Sequence, residues 1–116
     1  MLHPVVHFEI LGKDQKLLES FYKDVFGWQI TPAMDGYSLV FPGTGINGGI
    51  GAMGQGQGYV TFYVAVADVQ AALDDIEKKG GKKAFGPHPI PDGGLVGGFH
   101  DPEGHLIGLV QGPAGK

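Results

Sequence analysis

Residues 5–27, VVHFEILGKDQKLLESFYKDVFG, and residues 59–81, YVTFYVAVADVQAALDDIEKKGG, are built to the same plan. Each opens on a run of β-branched, aromatic and other apolar residues, which reads as a strand. Each then reaches an aspartate, Asp14 or Asp68, placed to cap a helix. In the first copy Leu17, Leu18, Phe21, Tyr22 and Val25 recur at helical spacing, and Gly27 supplies the stop. In the second, Asp74, Asp75 and Glu77 precede Lys78 and Lys79, an order that suits the helix dipole, and Gly80-Gly81 ends the run. One constant shift places His7 on Thr61, Asp14 on Asp68 and Gly27 on Gly81. The helices are predicted over residues 14–26 and 68–79, with Glu19 and Lys23 as a favourable pair on the first.

Outward from these two stretches, short strands follow each helix. Residues 28–31, 37–41 and 46–53 are strand candidates, separated by the turn signals Asp35-Gly36 and Pro42-Gly43. Residues 54–58, GQGQG, read as a short linker. After the second helix, residues 82–90 are extended. Pro87, Pro89 and Pro91 alternate there, so their missing N–H groups fall on one side, as in an edge strand. Residues 95–100 and 105–111 form a hairpin about Asp101-Pro102-Glu103-Gly104, whose Pro and Gly fit a type I turn. The order is strand, helix, three strands, twice over. Neither half buries a sheet face alone, so residues 1–116 are read as one domain with repeat units near 1–56 and 57–116.

Alternation within the strands sorts side chains by face. His7, Glu9 and Leu11 lie on one face of the first strand, and Val6, Phe8 and Ile10 on the other. Thr61, Tyr63 and Ala65 oppose Phe62, Val64 and Val66 in the same way.

Composition narrows the function. The 116 residues are 42% hydrophobic and 17% charged, enough apolar material for one modest core. Glycine is in excess at 22 residues, without a collagen period, which points to turns and close backbone approaches. The net charge of −4 and the lack of any basic run beyond two lysines argue against nucleic-acid partners. No cysteine is present, which removes thiolate chemistry and Cys-ligated metals and agrees with a cytoplasmic setting. No apolar run is long enough to span a membrane, and the N-terminal MLHPVVHFEI lacks secretory features. No nucleophile elbow or P-loop occurs. Ser20 and Ser38 are the only serines, and neither sits in a nucleophile motif.

VHFEI at 6–10, FYKDVFGW at 21–28, INGGI at 46–50 and DPEGHLIGLVQ at 101–111, set in a repeated βαβββ plan, resemble the vicinal oxygen chelate superfamily of glyoxalases, bleomycin-resistance proteins and extradiol dioxygenases. The resemblance covers nearly the whole chain. It implies an α+β fold in which two βαβββ repeats form a curved, mixed eight-stranded sheet with the helices on the convex face. It places Phe8, Ile10, Phe62, Val64, Ile107 and Leu109 under the helices. His7, Glu9, Thr61 and Tyr63 go to a ligand groove, with Trp28, Tyr37 and Phe99 at its rim. Metal-dependent members draw ligands from the first and last strands of the repeats. Carried over, those positions fall on His7, on Thr61, on Gly108 and within residues 47–50, so only His7 offers a strong ligand. No cofactor is expected.

Four readings follow. The first is a metal-free small-molecule-binding protein. The second is a metal-dependent lyase or dioxygenase. The third is a metal-independent enzyme with His7 and Glu9 as base and orienter. The fourth is an interaction module. His7 and Glu9, two apart on one strand face, could also reach a single ion, whereas His3, His88, His100 and His105 read as surface or hairpin residues. A homodimer is expected, because two short units make a small core and the Gly-rich fourth strand allows close approach.

Overall fold

In the computed structural model, which describes residues 2–53 and 57–112, the two aspartates start the two helices as predicted. Asp14 Oδ1 accepts from Leu17 N at 3.0 Å, and Asp68 Oδ1 accepts from Ala71 N at 3.0 Å. Each satisfies one of the orphan donors of a first helical turn. The elements run β1 (Val5–Gly12), α1 (Gln15–Phe26), β2 (Gln29–Met34), β3 (Tyr37–Phe41), β4 (Asn47–Ala52), β5 (Tyr59–Ala65), α2 (Val69–Lys78), β6 (Lys82–Pro89), β7 (Leu95–His100) and β8 (Leu106–Gln111). This is an α+β fold of two βαβββ repeats with an eight-stranded mixed sheet. Part of the expected linker, residues 54–56, lies outside the described residues. The chain divides into two compact units, Val6–Thr61 and the rest.

In the Val6–Thr61 unit the strands lie in the order β2-β3-β4-β1, with β1 and β4 parallel and the other pairs antiparallel. Gly27 takes a left-handed φ of 70° and returns its N–H to Lys23 O, which ends α1. The core is Ile10, Val40 and Ile50, with Phe8, Leu18, Tyr22, Trp28 and Ile30 packed on it. Two expectations change here. Trp28 stacks on Tyr22 at 5.3 Å between ring centroids and tilts against Phe8, so it belongs to the α1-side core rather than to a groove rim. Glu19 turns inward. Its Oε2 accepts from Ser38 Oγ at 2.8 Å and from Gln15 Nε2 at 2.7 Å, because Ser38 on β3 is buried and offers a donor.

In the second unit the order is β5-β8-β7-β6, with β5 and β8 parallel. Val69, Leu73 and Leu109 form the core, and Val64 and Phe99 pack against it. Phe99 is therefore on the helix side, which corrects its expected place at a groove rim. The register explains this: Phe99 has the same parity as Gly97, above which Val69 and Leu73 lie. Phe62, expected under a helix, remains 39% exposed. β6 pairs with β7 alone, as predicted for the proline strand. Ile90 N donates across to Gly94 O, so its neighbour Pro89 turns the side lacking an N–H outward. The Asp101–Gly104 turn closes with Gly104 N donating to Asp101 O at 2.8 Å.

Candidate functional site

The glycines of β4 make room for the site. β1 and β4 run parallel with Glu9 opposite Gly49 and Leu11 opposite Gly51. On the face carrying His7 and Glu9, β4 therefore has no side chains at these two positions. Tyr37, from the start of β3, lies across the trough they leave. A Cβ on Gly49 would come within 1.8 Å of the Tyr37 hydroxyl oxygen, and one on Gly51 within 2.9 Å of its ring. Only glycine lets the phenol cross β4 at this depth.

Crossing brings Tyr37 between the two residues singled out on β1. Its hydroxyl donates to Glu9 Oε2 at 2.9 Å and meets His7 Nε2 at 2.8 Å. A phenol has one hydrogen, and here the carboxylate receives it. His7 Nε2 must then supply the hydrogen of the second bond, which puts the basic lone pair of the neutral ring on Nδ1. Burial lowers the His7 pKa below the usual 6.5, with the Glu9 charge opposing that shift, so the imidazole is neutral at pH 7. Glu9 is 9% exposed, unusual for a carboxylate.

Tyr37 thus stands at the centre of the cluster, where its sequence position suggested only a rim. Tyr59 is a further member that sequence reasoning missed. Burial, and then the nearby Glu9 charge, raise its phenol pKa above 10.0. The signal was available, since Tyr59 shares its strand parity with Thr61 and Tyr63. Thr61 is buried at 7% exposed. Leu39 and Phe41 share the Tyr37 face of β3 and stay part-exposed, giving the cluster an apolar flank.

Tyr63 belongs to the second unit and lies opposite Gly108 in the β5–β8 register. Its ring fills the space above that glycine, where a Cβ would approach to 2.4 Å. Phe85 covers Gly98 on the same face in the same way, and sequence reasoning did not single it out. The two units therefore repeat one device: aromatic rings laid over glycines of a neighbouring strand.

These residues do not fit a divalent transition metal. Gly108 has no side chain, and the Tyr63 ring occupies the place of one. Thr61 has only a hydroxyl, and residues 48–50 bring no carboxylate or imidazole. His7 and Glu9 both turn to Tyr37. Among the described residues no group of three or more His, Asp or Glu converges. A stable site needs three or four protein ligands. At the β7–β8 hairpin His105 serves structure: its Nδ1 lies 3.0 Å from Asp101 Oδ2, and its backbone N donates to Asp101 Oδ1. Among the described residues no helix is long and apolar enough to cross a membrane.

The model of the Glyoxalase/Bleomycin resistance protein/Dioxygenase superfamily matches residues 5–109. A "Glyoxylase-like domain-containing protein" of Didymella fabae is 26% identical over 122 residues, covering 90% of this chain and 91% of that one. Among solved structures, a Streptomyces coelicolor methylmalonyl-CoA epimerase in complex with 2-nitronate-propionyl-CoA is similar at a TM-score of 0.70 and 21% identity, over 98% of this chain and all of the other. A hypothetical protein from Bacillus halodurans is similar at a TM-score of 0.73 and 14% identity, over 100% of this chain and 99% of that one. At such identities the structural likeness is one of fold.

Proposed function

Since the chain belongs to the Glyoxalase/Bleomycin resistance protein/Dioxygenase superfamily, we propose that it is a small-molecule-binding protein of that fold, which holds its ligand without a metal at the His7–Tyr37–Glu9 cluster. The observation that carries the reading is the Tyr37 hydroxyl, placed within hydrogen-bond reach of both a buried carboxylate and a neutral imidazole. Glu9 receives a donor group of the ligand, Tyr59 and Tyr37 add phenolic contacts, and Leu39 and Phe41 cover apolar parts. A second reading rests on the same geometry: His7, held by the Tyr37 hydroxyl beside Glu9, serves as the base of a metal-independent acid–base reaction. We take the protein to be cytoplasmic, supported by its lack of cysteine, and homodimeric.

A thermal-shift screen of small organic compounds, with acyl-coenzyme A thioesters included because epimerases of this fold bind one, tests the reading. A ligand at about 100 times its Kd stabilises by about 2.7 kcal/mol, which moves the Tm by several degrees. Glu9→Gln and His7→Ala should keep cooperative unfolding and lose the shift from any hit. Stabilisation that survives in both variants places the ligand elsewhere. A shift that vanishes on chelation and returns with one metal ion per chain overturns the metal-free part.

A further inference from the structure

The two repeats fill the space beside their helices differently. In the first, Leu18 and Tyr22 of α1 pack onto the core of Ile10, Val40 and Ile50, and Tyr22 stacks on Trp28. The repeat shift carries Ile10 to Val64, Leu18 to Ala72, Tyr22 to Ile76 and Trp28 to Lys82. Two aromatic rings and a leucine are thus replaced by an isoleucine, an alanine and an exposed lysine. Gly12 becomes Val66, which returns only part of the lost volume. The structure follows the shift. A cavity of about 440 Å³ opens beside α2, and Val64, Val66, Ala72 and Ile76 all line it, with Phe99 and Leu109. That volume lies within the range of small-molecule pockets. The polar edge of the cavity is acidic: Asp68 and Asp75 line it, with His3 beside them. Asp75 pairs with Lys79 at 3.1 Å, but both side chains are exposed, and such a pair holds weakly.

We propose that this cavity is a second small-molecule site, separate from the His7–Tyr37–Glu9 cluster, and that it takes an aromatic ring carrying a protonated amine on a short chain. The ring takes the place that the Tyr22 side chain fills in the first repeat, against Val64, Ile76 and Phe99. Phe99 gives it an aromatic neighbour. The ammonium group meets Asp75 and Asp68 and competes with Lys79 for the former. Apolar contact supplies the attraction, and the two carboxylates select a cation over an anion. Every residue of this site belongs to the unit that holds α2, so it stands independently of the ligand reading above.

Saturation-transfer NMR and amide-shift mapping on the full chain, with phenethylamine from about 0.1 to 10 mM, test this. Phenethylamine should bind and shift the amides of residues 64–66 and 71–76. Hydrocinnamate, the same ring on a chain of opposite charge, should bind about tenfold more weakly. Ala72→Leu restores the residue of the first repeat and should abolish binding of both. Asp75→Asn should weaken phenethylamine by about two- to fivefold and leave the neutral phenethyl alcohol unchanged. Ala72→Val takes the place of Ala72→Leu if the latter does not unfold cooperatively. Absence of binding up to about 10 mM overturns the proposal, as does equal binding of amine and carboxylate, or binding that the substitution at Ala72 leaves intact. Shifts confined to residues around His7 and Tyr37 overturn it too, since the amine then sits at the other site. Ala72→Leu should keep any thermal shift that Glu9→Gln and His7→Ala abolish, so each site stands or fails separately.

Discussion

Gly49 is fixed as glycine by a side chain of the preceding strand, Tyr37 on β3. With the Tyr37 oxygen 1.8 Å from where a Cβ would stand, Gly49→Ala must expel the phenol from between His7 and Glu9. Overpacking of this kind costs about 1–3 kcal/mol, so urea unfolding should show a loss in that range. The glycine doublet in INGGI was visible in the sequence; its meaning was not, because the residue that needs it comes from another strand. His7 makes a prediction in pH. Its folded pKa lies below the unfolded 6.5, so the unfolded chain binds the proton more readily. The neutral ring's contribution to stability is complete above the unfolded pKa and is lost as pH falls through the folded one. Glu9 and the Tyr37 hydroxyl face it, and the Glu9 charge reduces the shift. Denaturant midpoints measured from pH 8 to 5 (about 1.5 units either side of 6.5) should fall, and should fall less steeply in His7→Asn.

The helices show where element-level reading succeeds. Both caps were legible because a cap is a local matter of one aspartate and the N–H three residues on. Asp14→Ala and Asp68→Ala should each destabilise by about 1 kcal/mol, measured as a shift in urea midpoint at constant m-value. Glu19 shows the limit. The i,i+4 rule sees only the helix's own surface and assigns Glu19 to Lys23, whereas a buried serine on β3 draws it inward. Trp28 and Phe99 were misplaced for a related reason. Trp28 precedes β2 and follows a left-handed glycine, so strand alternation says nothing about its direction; it completes an aromatic stack with Tyr22 and Phe26. Phe99 takes its face from the β7–β8 register, which sequence alone does not set.

At the scale of the molecule, the fold was readable because it is written twice, and the repeated Asp–helix–Gly punctuation survives where side-chain identity does not. The candidate site was half readable. The β1 pair of His7 and Glu9 came from alternation, while the bridging role of Tyr37 and the presence of Tyr59 depended on contacts across strands. One feature of the sheet ends bears on how the protein behaves when crowded. The outermost strand of one unit, β2, carries Pro32, and that of the other, β6, carries Pro87 and Pro89. A fibril grows by copying a strand's N–H and C=O ladder onto the next molecule, and proline leaves gaps in that template. Concentrated solutions of this chain should therefore resist seeding into amyloid, and contacts between its molecules are left to side chains rather than to the backbone.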